Sequence, residues 1–483
     1  MGNEMSQTTE TVRKRTACAL EHWHAPYDVF SISFRAPNIV IIIDASEHIE
    51  MELTSICKKR RQNVQVKMIG TSHDRTLELS IGGTPFDRLA DRNEIIDVRR
   101  LCCEWMRVLR AHGWSLFTSA DLSAWIDDDL TTWFFEKSTE PAYEDLVALG
   151  LLDTGVTQQG KNGDNSKSDE LIDDQDLLIQ LKGNPWDPRK HLAYEGAAGR
   201  MMLMEIFTNF YEIGYCYAGT VNLTGQADTI FFERSTSNPK PRKRVRFAMM
   251  SLHERNQLRF TGLTDDLCEA LKLCVTEHWK DQGGITKEAQ DKEFDSVLLE
   301  LKGSPWSCTG SAAVDARMLM TEVLSCIHSH GWVMEATVDM SRDCDDKSAF
   351  VLRPADAADT DHDQNVPRRV LCMAPVGENQ LHVLNAPLEL INQLVDVSRK
   401  DEMRMFVEMN EPIPSGHQWQ LFGRPWAPNY VIHRIAARHV VGMFLDTMRA
   451  HGWAMVTAAG LAAEYEDNQA VDVHTIFMSK AVK

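Results

Sequence analysis

Leu299–Trp332, LELKGSPWSCTGSAAVDARMLMTEVLSCIHSHGW, decides how this chain is built. It reads as a strand, a tight Gly-x-Pro-Trp turn, a helix and a helix stop. Leu319, Val323 and Ile327 stand four apart, with Met320 and Leu324 beside them, so the helix carries an apolar face to lay on a sheet. The same pattern opens at ELSIGGTPF (Glu78–Phe86), LIQLKGNPW (Leu178–Trp186) and WQLFGRPW (Trp419–Trp426). The four prolines, Pro85, Pro185, Pro305 and Pro425, are followed by Phe86, Trp186, Trp306 and Trp426. Each helix runs to a Gly-aromatic pair beginning at Gly113, Gly214, Gly331 or Gly452. Proline spacings of 100, 120 and 120 residues are the mark of an internal repeat.

The signature has a structural explanation. Glycine two places before proline lets the strand end turn through angles other residues resist, and proline fixes the exit. The aromatic that follows is a large anchor to wedge between helix and sheet. At the far end glycine takes the left-handed position past the helix, and His112, His330 and His451 sit at the negative helix terminus. Copy two has Ile213 there, so these histidines read as caps and not as catalytic groups or metal ligands.

Between the signatures a second half recurs as strand, strand, helix: Phe30–Phe34, Ile39–Asp44 and Ser46–Lys58; Arg244–Ser251, Asn256–Thr261 and a helix from Thr264; Arg368–Pro375, Asn379–Asn385 and Leu388–Arg399. With four signature halves and three of these, one half is left over. A unit that begins at the signature reads β-α-β4-α. A unit that begins at the other half gives three whole units, 30–137, 244–353 and 368–480, with the half at 177–233 unpaired. In a third arrangement the first strand-strand-helix half completes the last signature half and so closes the chain on itself. The expectation is an α+β fold of tandem modules, each an antiparallel sheet with two helices on one face. The corresponding division is a disordered tail over 1–26, modules over 27–137, 177–280 and 281–400, an acidic flexible linker over 138–176 and a C-terminal half-module over 401–483. The β-α-β4-α order resembles, in topology alone, the half-repeat of the TATA-binding protein and the lipid-enclosing helix-grip folds; no activity follows from a shared topology.

Composition narrows the function classes. At 483 residues the chain exceeds one core, and a net charge of −19 repels phosphate backbones, so nucleic acid is not expected as a partner. Eleven cysteines without C-x2-C spacing suit a reducing compartment and give no zinc motif. There is no P-loop, GxGxxG, HExxH or GxSxG, so no catalytic residue, cofactor or metal ligand is assigned. His22-Trp23-His24 is a lone metal-capable pair, and Asp127–Asp129 reads as solvated carboxylates at a hairpin turn. Met1-Gly2-Asn3-Glu4-Met5-Ser6 fits the N-myristoylation pattern at Gly2, a route to a membrane surface. Pro239–Arg244, PKPRKR, has the basic character of a nuclear-import signal. The resulting expectation is a non-enzymatic cytoplasmic scaffold that binds protein partners, or itself, through variable loops or an open sheet edge. The alternative is a carrier of an apolar ligand or lipid at a membrane periphery.

Overall fold

The computed structural model describes residues 28–69, 76–87, 89–123, 129–138, 143–150, 170–173, 176–178, 193–224, 228–235, 242–340, 346–355, 366–400, 406–427, 430–466 and 469–482. Gly2, Pro185, Trp186, His22-Trp23-His24 and the first half of the basic run, 239–241, lie outside them.

The first unit contains β1 (Val29–Arg35), β2 (Ile39–Ile43), α1 (Glu47–Arg60), β3 (Gln65–Ile69), β4 (Thr76–Ser80), α2 (Arg92–Ala111), β5 (Trp114–Ala120) and β6 (Asp129–Lys137). Its antiparallel sheet has the order β3-β4-β2-β1-β6-β5. Next come β7 (Tyr143–Gly150), the hairpin β8 (Glu170–Asp173) and β9 (Asp176–Leu178), α3 (Ala193–Glu212), β10 (Tyr215–Val221) and β11 (Thr229–Ser235). The second complete unit contains β12 (Ala248–His253), β13 (Gln257–Thr261), α4 (Asp265–His278), β14 (Ile285–Asp291), β15 (Ser296–Leu301), α5 (Gly310–Ser329), β16 (Trp332–Val338) and β17 (Asp346–Pro354). The third contains β18 (Arg368–Val376), β19 (Gln380–Leu384), α6 (Leu388–Arg399), β20 (Phe406–Ile413), β21 (Gly416–Leu421), α7 (Val431–Ala450), β22 (Ala454–Glu466) and β23 (Gln469–Ala481). Both repeat the first sheet's order strand for strand.

The α+β tandem plan therefore stands, with two corrections to its bookkeeping. The unit begins at the ββα half, so boundaries at 280/281 and 400/401 cut through sheets that span 248–354 and 368–481. The unit also has six strands. Residues 285–291 and 406–413, where the sequence suggested no strand, form β14 and β20, and β3 is their counterpart. β3 and β14 escape a reading based on alternation because neither face is buried: β14 is exposed at five of its seven positions. The expected linker 138–176 likewise holds β7, which pairs with β11 in a three-stranded sheet of order β10-β11-β7. This half-unit lacks counterparts of β2 and α1 among the described residues.

The signature behaves as its chemistry requires. Gly83, Gly303 and Gly423 sit at φ +82, +81 and +72°, and Gly113, Gly214, Gly331 and Gly452 at +76, +94, +77 and +78°. Trp306 and Trp426 are fully buried, and their indole N–H groups donate to the Gln257 and Gln380 carbonyls at 2.9 and 2.7 Å. The wedge thus bonds the helix-proximal turn to the start of the second strand.

Candidate functional site: a closed ring of units

Each signature helix is buried on two sides. It covers its own sheet and also lies against the outer face of the next sheet: α2 on β7, α3 on β12, α5 on β18 and β19, and α7 on β1 and β2. The cores follow the same scheme. Leu146, Val221 and Phe231 of the half-unit join the first unit's core, and Phe247, Met249 and Val351 join the half-unit's. Cys372 and Phe477 join the second unit's core, while Val29 and Phe134 join the third's. The last contact closes the chain, because α7 packs on the sheet that begins at residue 29. Ile41 and Ile43 meet Ile435 there. Inside the ring β5 packs on β10, β10 on β16, β16 on β22, and β22 on β5.

One residue makes every junction. Arg99, Arg200, Arg317 and Arg438 each stand fourteen places before the cap glycine, and each reaches the neighbouring sheet. Arg99 Nε donates to Thr229 Oγ1 at 2.9 Å and Arg317 Nε to Thr475 Oγ1 at 3.3 Å. Arg438 Nε donates to Ser33 Oγ at 2.8 Å and Thr132 Oγ1 at 3.1 Å. Arg200 meets His253 Nε2 at 3.3 Å. Thr132, Thr229 and Thr475 occupy one register position, opposite Ala120, Val221 and Ala459. Burial lowers the Arg99 guanidinium to about 10, which still leaves it charged at neutral pH.

A second contact recurs beside it. The residue eight places after each cap glycine touches the residue just before that register position in the preceding unit. Asn222 N–H donates to Thr131 Oγ1, Asp228 N–H to the Asp339 carbonyl, Gly460 N–H to Ser348 Oγ, and His474 N–H to the Asp121 carbonyl. The half-unit is thus a full participant in a pseudo-fourfold ring.

The closing junction is the most polar. Arg438 Nη2 lies 2.7 Å from Asp129 Oδ2, both side chains almost wholly buried, and Ser123 Oγ also donates to that carboxylate. Nearby, His439 Nδ1 lies 2.8 Å from Asp44 Oδ2, and Asp44 is held at φ +61° at the end of β2. Asp129 therefore is not a solvated turn carboxylate, as its acidic neighbours suggested; ring closure buries it and the arginine neutralises it. The arginines went unread because each looks solitary within its helix. Their fixed distance from the cap glycine was the available signal.

Beside β7 lies a cavity of about 260 Å³ between the first unit and the half-unit, with Arg107, Arg110, Asp145 and Glu233 in its lining next to Leu116, Phe117 and Tyr217. Four ionisable side chains make it a poor chamber for an acyl chain. The described cysteines are all free thiols. Among them Cys326 stands apart: the neighbouring Cys274 thiol, with help from His330, lowers it to about 7.

One protein-family domain model matches the chain three times, over residues 28–136, 246–353 and 369–478. The chain belongs to that domain family. The three matches coincide with the three six-stranded units, and the half-unit between the first two lies outside them. No curated protein and no solved structure matches the chain.

Proposed function

We propose that this member of the family is a non-enzymatic scaffold, a closed ring that holds an extended segment of a protein partner at the free edge of β7. The observation that carries this is a strand place left unfilled among the described residues. In each complete unit the strand equivalent to β7 is flanked on both sides, β1 by β2 and β6, β12 by β13 and β17, and β18 by β19 and β23. Among the described residues β7 has β11 alone. Both faces of β7 are already covered: Leu146 and Ala148 pack with the first unit's core, Val147 and Leu149 with the half-unit's. Among the described residues the edge is then the place left for a ligand, and strand addition supplies main-chain hydrogen bonds there. The strand that fills this place elsewhere is five residues long and rich in apolar residues, as in Ile39–Ile43 and Gln380–Leu384. A partner segment of that character fits.

Selection of random peptides on the intact chain, followed by hydrogen exchange, tests the reading. Binders should be extended apolar segments that slow exchange at residues 143–150. Binders that protect only other strands, or a selection that returns none, would overturn it. Slowing of the same amides with rising protein concentration would instead identify a second copy as the occupant. Acylation at Gly2, which would tether the ring to a membrane, is read by intact mass of protein expressed with an N-myristoyltransferase.

A further inference from the structure

We propose that the first unit binds one divalent transition-metal ion of the zinc class through His48, Glu52 and His112. His48 and Glu52 stand four apart on α1 and so share one helix face, and His112 follows the last residue of α2. Their coordinating atoms all lie within 4.8 Å of one another. The two imidazole rings are 4.6 Å apart at 89°. A tetrahedral ion with bonds of ~2.0–2.1 Å needs donors about 3.3 Å apart, a closure that calls for χ rotation of the exposed His48 and His112 and the half-buried Glu52. Two imidazoles and one carboxylate form a donor set suited to zinc, with a fourth position left to water or to a group from a partner.

A second observation separates His112 from its siblings. His330 Nδ1 and His451 Nδ1 fold back onto the carbonyls of Cys326 and Thr447, at 2.8 and 2.7 Å, as helix-capping histidines should. Among the described residues the His112 ring makes no such bond; it is turned edge-on to His48. The positions matching His48 and Glu52 are Asp266 and Ala270 in the second unit, and Glu389 and Gln393 in the third. Only the first unit combines the three donors. The capping role that accounts for two of the histidines therefore leaves the third for chemistry.

Calorimetric titration of the metal-stripped intact chain with Zn2+, repeated with Co2+ for its visible absorption, tests this. One equivalent should bind, with a Co2+ spectrum of low symmetry, and should raise the unfolding temperature. His112→Ala and His48→Ala should each weaken that equivalent by more than the roughly 10-fold that losing even an outer partner costs. Glu52→Gln should weaken it as well, while His330→Ala and His451→Ala leave it unchanged. All three sites are exposed or half-buried, so these variants keep the fold. A wild-type chain that binds no Zn2+, or one whose binding survives the His48→Ala/His112→Ala double change, overturns the proposal.

Discussion

Arg438 shows what one side chain does at a junction. Its guanidinium is withdrawn from water, and Asp129, Ser33 and Thr132 replace the lost hydration. Removing one partner of such a pair leaves a buried charge unpaired, so Arg438→Met is expected to cost about 3–5 kcal/mol, measured by urea unfolding. Adding Asp129→Asn should restore most of that loss. Asp228 offers a pH test at the junction between the half-unit and the second unit. Burial raises its carboxyl to about 7, while the unfolded chain ionises near ~3.9. The folded state therefore holds the proton more tightly, so this contribution is full below about pH 4 and fades as pH rises to 7. Asp228→Asn should flatten that decline in stability-versus-pH curves. Burial depresses His382 to about 4, with the opposite result: its contribution is present above the ordinary histidine range and fades on acidification. Cys326 is expected to react with iodoacetamide at neutral pH well before the fully buried Cys102 and Cys372, whose thiols burial pushes up. Peptide mass mapping at short times would show the order.

The turns and helix ends of the repeated signature are interchangeable devices, and their differences are informative. Phe86 stands where Trp306 and Trp426 donate to a carbonyl, so the wedge needs bulk first and the indole bond second. The neighbouring turn glycine is held to its type by backbone angle alone at Gly303, where an added Cβ would meet nothing within 4 Å. Gly303→Ala is expected to cost about 1 kcal/mol, from positive φ without a clash. Gly150 at the end of β7 is the reverse case. A Cβ there would fall 2.1 Å from the Arg99 guanidinium carbon, and Arg99 is hemmed in by its bond to Thr229. Gly150→Ala should destabilise by about 1–3 kcal/mol and raise hydrogen exchange in β7 and β11 first.

Ring closure changes how the whole chain should unfold. An open repeat array contacts only nearest neighbours and can fray from its ends. Here the end helix α7 covers the first sheet, so each unit has a neighbour on both sides. Ile435→Asp, placed between Ile41 and Ile43, should therefore increase exchange in β2 as well as in α7, almost 400 residues apart in sequence. Loss confined to α7 would mean that the two ends do not support one another.

Repetition made the unit legible. The Gly-x-Pro-aromatic turn, the helix and its glycine stop are local chemistry: left-handed angles, a fixed φ, an apolar stripe at helical period. Those features follow from neighbours a few residues away, so they can be read from the letters. The partner of each half could not be read, because the three alternatives use the same strands and the same apolar pattern. Nor could the outer strands β3 and β14, whose side chains face water on either side. The runs IVIII at 39–43 and LCMA at 371–374 did hint at sheets buried on both faces. What lay over those faces was decided in three dimensions, where Arg438 meets Ser33 across 405 residues and His112 meets His48 across two helices. Contacts at that range depend on how rigid units stack, and no local pattern encodes the stacking.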